Sequence, residues 1–96
     1  MKIKNTTPEK EKIQFEVFPI PTNGLLTVNY IIPENALNAK IELFDLTGKL
    51  IKIYSDLVLG ENTLQIDLSN FGNGLFTCVY KIDGKQISSK KITVIK

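Results

Sequence analysis

The 96-residue chain has no histidine, no arginine and a single cysteine. Each absence closes off a chemistry. Without imidazole there is no Ser-His-Asp triad, no Cys-His pair and no histidine metal ligand. Without a second thiol no intrachain disulfide can form, so the apolar core must hold the fold alone. Cys78 sits in the apolar run Leu75–Ile82, a setting for a buried small hydrophobe rather than a nucleophile. Every positive residue is lysine. Nucleic-acid sites lean on arginine for bidentate contacts and stacking, so no nucleic-acid partner is expected. No apolar segment reaches the ~18 residues of a transmembrane segment, and the N-terminal residues lack the apolar stretch of a signal peptide. No run carries apolar residues at helical spacing.

What is present reads as short strands between turns. Pro and Gly mark joints about every 8–12 residues, the pattern of an antiparallel sandwich or barrel. The formal charge is +2, unevenly placed. Residues 81–96 hold Lys81, Lys85, Lys90, Lys91 and Lys96 against Asp83, a net +4, which leaves −2 for residues 1–80. Lysine on an edge strand discourages sheet-to-sheet aggregation; a charge-reading partner is the other use. Asp45, Asp67 and Asp83 each stand beside a turn, where Asp ordinarily caps backbone amides. A calcium site would draw on the same carboxylates, but EF-hand spacing is absent. No cofactor, no metal and no catalytic residue is expected, because no acid pair converges in the sequence.

Ile41–Tyr54, IELFDLTGKLIKIY, is a hairpin by its own chemistry. Asp45 can accept turn amides, and Gly48 can take the positive φ that ends a three-residue loop. With Leu46-Thr47-Gly48 as the loop, Phe44 faces Leu50, Leu43 faces Ile51, Glu42 faces Lys52 and Ile41 faces Ile53. This register gives one apolar face of Ile41, Leu43, Ile51 and Ile53. A two-residue loop would put Leu43 opposite Lys52 and Glu42 opposite Ile53 and mix the faces, so the three-residue loop is expected.

Around this hairpin, residues 1–12 read as a polar linker or disordered N-terminal segment and residues 13–96 as one domain. Strands are predicted over Ile13–Phe18 and Leu25–Ile32, with Pro19-Ile-Pro-Thr-Asn-Gly24 as the turn between them. Gly60-Glu61-Asn62 reads as a turn, followed by a strand over Thr63–Leu68 with Leu64, Ile66 and Leu68 on one face. Phe71, in the loop 69–74, is placed to plug the sandwich end. The last two strands, Leu75–Ile82 and Gln86–Ile95, join through Asp83-Gly84. A two-residue loop pairs Tyr80 with Ile87, yet matching Phe76 to Ile92 needs one extra residue. A β-bulge is therefore expected near Ser89.

The series Phe18-Pro-Ile-Pro-Thr-Asn-Gly24, Ile41–Ile51, Gly60…Ile66-Asp-Leu-Ser-Asn70, Gly74-Leu-Phe76, Asp83-Gly84-Lys85 and Lys90-Lys-Ile-Thr-Val-Ile-Lys96 resembles a known family. It is similar to the type A C-terminal sorting domain of the type IX secretion system of Bacteroidota (the Por secretion system C-terminal sorting domain family). The likeness covers about residues 15–96. It implies an immunoglobulin-like antiparallel β-sandwich of about seven strands, without catalysis of its own, carried behind an N-terminal cargo protein; a monomer is expected. By the same likeness, the cargo passes through the periplasm, the type IX translocon reads the domain, a sortase-like protease removes it, and the cargo reaches the cell surface or medium. The family's positions fall on Pro19, Pro21, Asn23, Gly24, Asp45, Gly48, Lys49, Gly74 and Phe76. The terminal run is Lys90, Lys91, Ile92, Val94 and Lys96, and this strand is expected to meet the translocon. Two positions depart from the family: Ile20 stands where Asn is usual, and Phe76 where Tyr is usual. A domain beginning at Met1 without cargo or signal reads as a piece of a longer product. An immunoglobulin-like adhesion or glycan-binding module is the alternative, though Tyr30, Tyr54 and Tyr80 form no cluster in one loop.

Overall fold

Strand formation follows the alternation of apolar residues. The computed structural model describes residues 15–55, 57 and 59–96, so the expected linker 1–12 and the strand start at Ile13 lie outside the described residues. The described residues form seven strands and no helix: β1 Phe15–Phe18, β2 Leu25–Ile32, β3 Ala39–Asp45, β4 Leu50–Tyr54, β5 Gly60–Asp67, β6 Gly74–Ile82 and β7 Lys85–Val94. All strand pairs are antiparallel. One sheet runs β1-β2-β5 and the other β4-β3-β6-β7. In immunoglobulin lettering these are A-B-E and C′-C-F-G, so the expected seven-strand sandwich is what the chain forms.

The core lies between the sheets. Leu26, Val28, Tyr30 and Ile32 supply the inner face of β2, Ile66 and Leu68 that of the β5 region, and Ile41, Leu43, Cys78, Tyr80, Ile92 and Val94 that of the larger sheet. Tyr80 ties the layers together: its ring stacks on Phe15 at 5.3 Å between centroids, and its hydroxyl donates to Ile31 O across the sandwich at 2.6 Å. Burial pushes the Cys78 thiol up to about 12, as a core position requires.

Three sequence expectations are corrected. The hairpin turn forms with Gly48 N donating to Asp45 O at 3.0 Å and Asp45 N to Lys49 O at 2.9 Å, and Phe44 faces Leu50. Beyond that pair the register slips: Leu43 faces Lys52, Glu42 faces Ile53 and Ile41 faces Tyr54. Ile51 is the extra residue of a β-bulge, which edge strands tolerate because one side of their ladder is unpaired. Tyr54 therefore packs toward the core and Ile53 is left 49% exposed. The bulge expected near Ser89 sits nearer the turn, at Ile87, since Tyr80 faces Ser88 and Lys81 faces Gln86. Its consequence is as expected, with Phe76 opposite Ile92. Finally, Gly60-Glu61-Asn62 belongs to β5, where it pairs with Ile32, Ile31 and Tyr30 of β2. Main-chain pairing to a full-length β2 extends the strand through residues whose local chemistry favours a turn.

Candidate recognition surface

Each turn that shapes the surface is held by a short polar side chain. Asp45 Oδ1 accepts from Thr47 N, Thr47 Oγ1 and Lys49 N at 2.9, 2.6 and 3.0 Å. The Thr47 hydroxyl above all, then the turn amides, hold the Asp45 carboxyl below its ordinary pKa. Asp67 Oδ1 accepts from Ser69 N at 2.8 Å, and its pKa is lowered by the hydrogen bonds to Ser69. Asp83 Oδ1 accepts from Leu37 N and Asn38 N at 2.9 and 2.8 Å, pinning the β6–β7 turn to the connection before β3. Among the described residues no group of three or more acids or thiols could hold a metal ion.

The first turn reaches the last strand. Pro19 and Pro21 both follow cis peptide bonds and lie on the surface, as does Asn23. Thr22 between them is buried. Its hydroxyl donates to Leu25 O and accepts from Gly24 N at 3.1 Å. Its backbone pairs with the end of β7, with Thr22 N donating to Thr93 O and Ile95 N to Thr22 O, both at 2.9 Å. Gly24 has φ +132°, and a Cβ there would meet the Ser69 backbone at 3.4 Å. Its carbonyl accepts from Leu68 N.

The same pole takes the chain's last residue. Lys96 Nζ donates to Ser69 O and Phe71 O, both at 2.6 Å, and Lys96 N donates to Asn73 Oδ1 at 3.0 Å. Gly74 begins β6 there, opposite Val94. Phe76 is 7% exposed, and its ring meets Phe71 edge-on at 6.0 Å. Asp45 pairs with Phe76 across β3–β6, which places Gly48 and Lys49 of the hairpin turn at this end. Positions scattered from 19 to 96 in sequence thus converge on one end of the sandwich.

Of the terminal run, Lys90 and Lys91 are exposed along β7, the edge of the four-stranded sheet. Ile92 and Val94 face the core at 0% and 1% exposure, and beside Val94 the backbone edge is taken by Thr22. Sequence reasoning missed Thr22 and the anchoring of Lys96. Thr two residues before Gly is a recognisable hydroxyl-turn pattern; the Lys96 anchor depends on a loop whose path has no local signature.

A small two-sheet β-sandwich with an open, lysine-bearing edge strand is the class these features define. The sequence pattern described as secretion system C-terminal sorting domain matches residues 16–96. The chain belongs to that family, the C-terminal sorting signals of type IX secretion. No curated protein matches the chain. Membership means attachment to a cargo, recognition by the secretion machinery, and export toward the cell surface or medium. Among the described residues there is no helix, hence none long and apolar enough to cross a membrane.

Proposed function

We propose that this domain carries an N-terminally attached cargo out of the periplasm and across the outer membrane, and that the type IX translocon reads it folded, chiefly along the Lys90–Lys96 strand. The supporting observation is β7 as a sheet edge bearing Lys85, Lys90 and Lys91. An exposed edge pairs with another chain by main-chain hydrogen bonds, and neighbouring positive charge steers an acidic partner toward it. Among the described residues the far end of this edge is occupied by Thr22. The domain does no chemistry of its own in this reading, and a sortase-like protease separates it from the cargo after passage. The test is a signal peptide–reporter–domain fusion in a host with the type IX system. Deleting Lys90–Lys96 should strand the reporter in the periplasm. Surface display that persists without these residues contradicts the terminal contact.

A further inference from the structure

We infer a second contact surface, on the outer face of the four-stranded sheet, which fits an acidic protein partner with an apolar strip; the inference rests on the export reading above. Strand pairing assigns the face. Leu50, Phe44, Thr77 and Lys91 form one row across β4-β3-β6-β7, and Ile53, Glu42, Val79 and Ser89 the next. Outward positions of a solvent-facing antiparallel sheet are ordinarily polar. Here Leu50, Ile53 and Leu75 are 45%, 49% and 47% exposed, with Phe44 beside them and Val79 buried at the centre. The outer face of the three-stranded sheet contrasts with it. Its middle is a polar ladder in which Thr63 donates to Asn29 at 2.9 Å and Gln65 to Thr27 at 3.2 Å.

Charge separates the sheets as well. Strands β1, β2 and β5 hold Glu16, Glu61 and Asp67 and no lysine, whereas the outer face of the larger sheet carries Lys40, Lys81 and Lys91 by register; Lys52 and Lys90 stand opposite the core residues Leu43 and Cys78. The one carboxylate inside the apolar rows, Glu42, is buried and ion-paired to Lys81 Nζ at 3.0 Å, which cancels its charge toward a visitor. Next to the face lies a hollow of about 200 Å³ lined by Asp45, Leu46, Leu75, Phe76, Thr77 and Lys91, with Leu46 protruding at 73% exposure. Apolar rows fringed by lysine match a protein surface of apolar residues fringed by Asp and Glu. An anionic membrane fits less well. The chain has no tryptophan, a usual interfacial anchor.

The test uses the full chain fused behind a signal peptide and reporter in a host with the type IX system. The triple variant Leu50→Ser, Ile53→Ser, Leu75→Ser should lower surface display about tenfold or more, as loss of a central contact does. The matched triple Leu25→Ser, Leu37→Ser, Leu59→Ser, which removes apolar side chains at least as exposed, should leave display near the unmodified level. Lys40→Glu, at a position outside the Lys90–Lys96 strand, should lower it as well, and unchanged display in that variant would remove the acidic character assigned to the partner. If the unmodified fusion is displayed and the first triple is displayed equally well with its melting transition intact, this surface is wrong and the export reading stands. If the unmodified fusion is not displayed, the export reading itself fails and takes this inference with it. Should the first triple not melt cooperatively, Ile53→Ser alone decides, with lowered display supporting and unchanged display overturning the inference. Two further outcomes overturn the protein partner: flotation of the purified domain with phosphatidylglycerol–phosphatidylcholine vesicles that the triple abolishes, or a self-associated species in sedimentation that the triple dissolves.

Discussion

Phe76 differs by a single oxygen atom from the tyrosine found at the equivalent corner of many immunoglobulin-type folds. In immunoglobulin-type folds a Tyr near the start of strand F, two residues before a Cys, often hydrogen-bonds to backbone at the corner. Here the ring is kept, packed edge-on against Phe71, and the hydroxyl is missing. Phe76 belongs to the core at 7% exposure and also lines the hollow beside Leu46 and Lys91. Phe76→Tyr should be neutral or stabilising by up to about 1 kcal/mol in urea denaturation; a clear loss would mean the ring tip is enclosed by apolar groups. Asp45 and Asp67 make a pH prediction at the same scale. Both carboxyls are held below their ordinary values by hydrogen bonds to the ionised form. A group depressed in the folded state stabilises fully above its unfolded pKa, about 4 for Asp, and that stabilisation is lost as pH falls through the folded value. Melting temperature should therefore fall below about pH 4, and less steeply in the double variant Asp45→Asn, Asp67→Asn. Equal acid sensitivity in the variant would place the cause elsewhere.

At the scale of elements, the central hairpin separates what can be read locally from what cannot. Its turn was legible because Asp45, Gly48 and Lys49 act on each other within five residues. Its far half was not, because an unbroken ladder is only the simplest register. On an edge strand one inserted residue costs few hydrogen bonds, and the inward place goes to the Tyr54 ring rather than to Ile53. The inference of a bulge in the last strand worked because two long strands had to agree at both ends; only its position, Ile87 rather than Ser89, depended on packing. Leu43→Ala should cost about 2–5 kcal/mol, since Leu43 is fully buried, and Ile53→Ala under about 1 kcal/mol. Similar losses for the two in chemical denaturation would restore the unbroken register.

For the whole molecule, turn spacing led to an antiparallel sandwich or barrel. Six motifs in order led to the family and, through it, to the immunoglobulin-like sandwich; the order of strands within each sheet did not follow from the sequence. The gathering of Pro19–Gly24, the hairpin turn, Phe76 and Lys96 at one end was not legible, because it depends on Thr22 reaching β7 and on Lys96 reaching the loop 69–74. Those contacts join segments more than 20 residues apart, with Lys96 and Phe71 separated by 25 positions. They make the end of β7 part of the fold's frame, so a receptor reading this edge reads the folded state. The most direct test of the sorting function places a signal peptide and reporter ahead of residues 1–96 and measures the reporter fraction outside the outer membrane. The comparison is between a host with the type IX translocon and the same host with the translocon deleted. Most of the reporter should be outside in the first and held in the periplasm in the second; the same distribution in both would contradict the assignment.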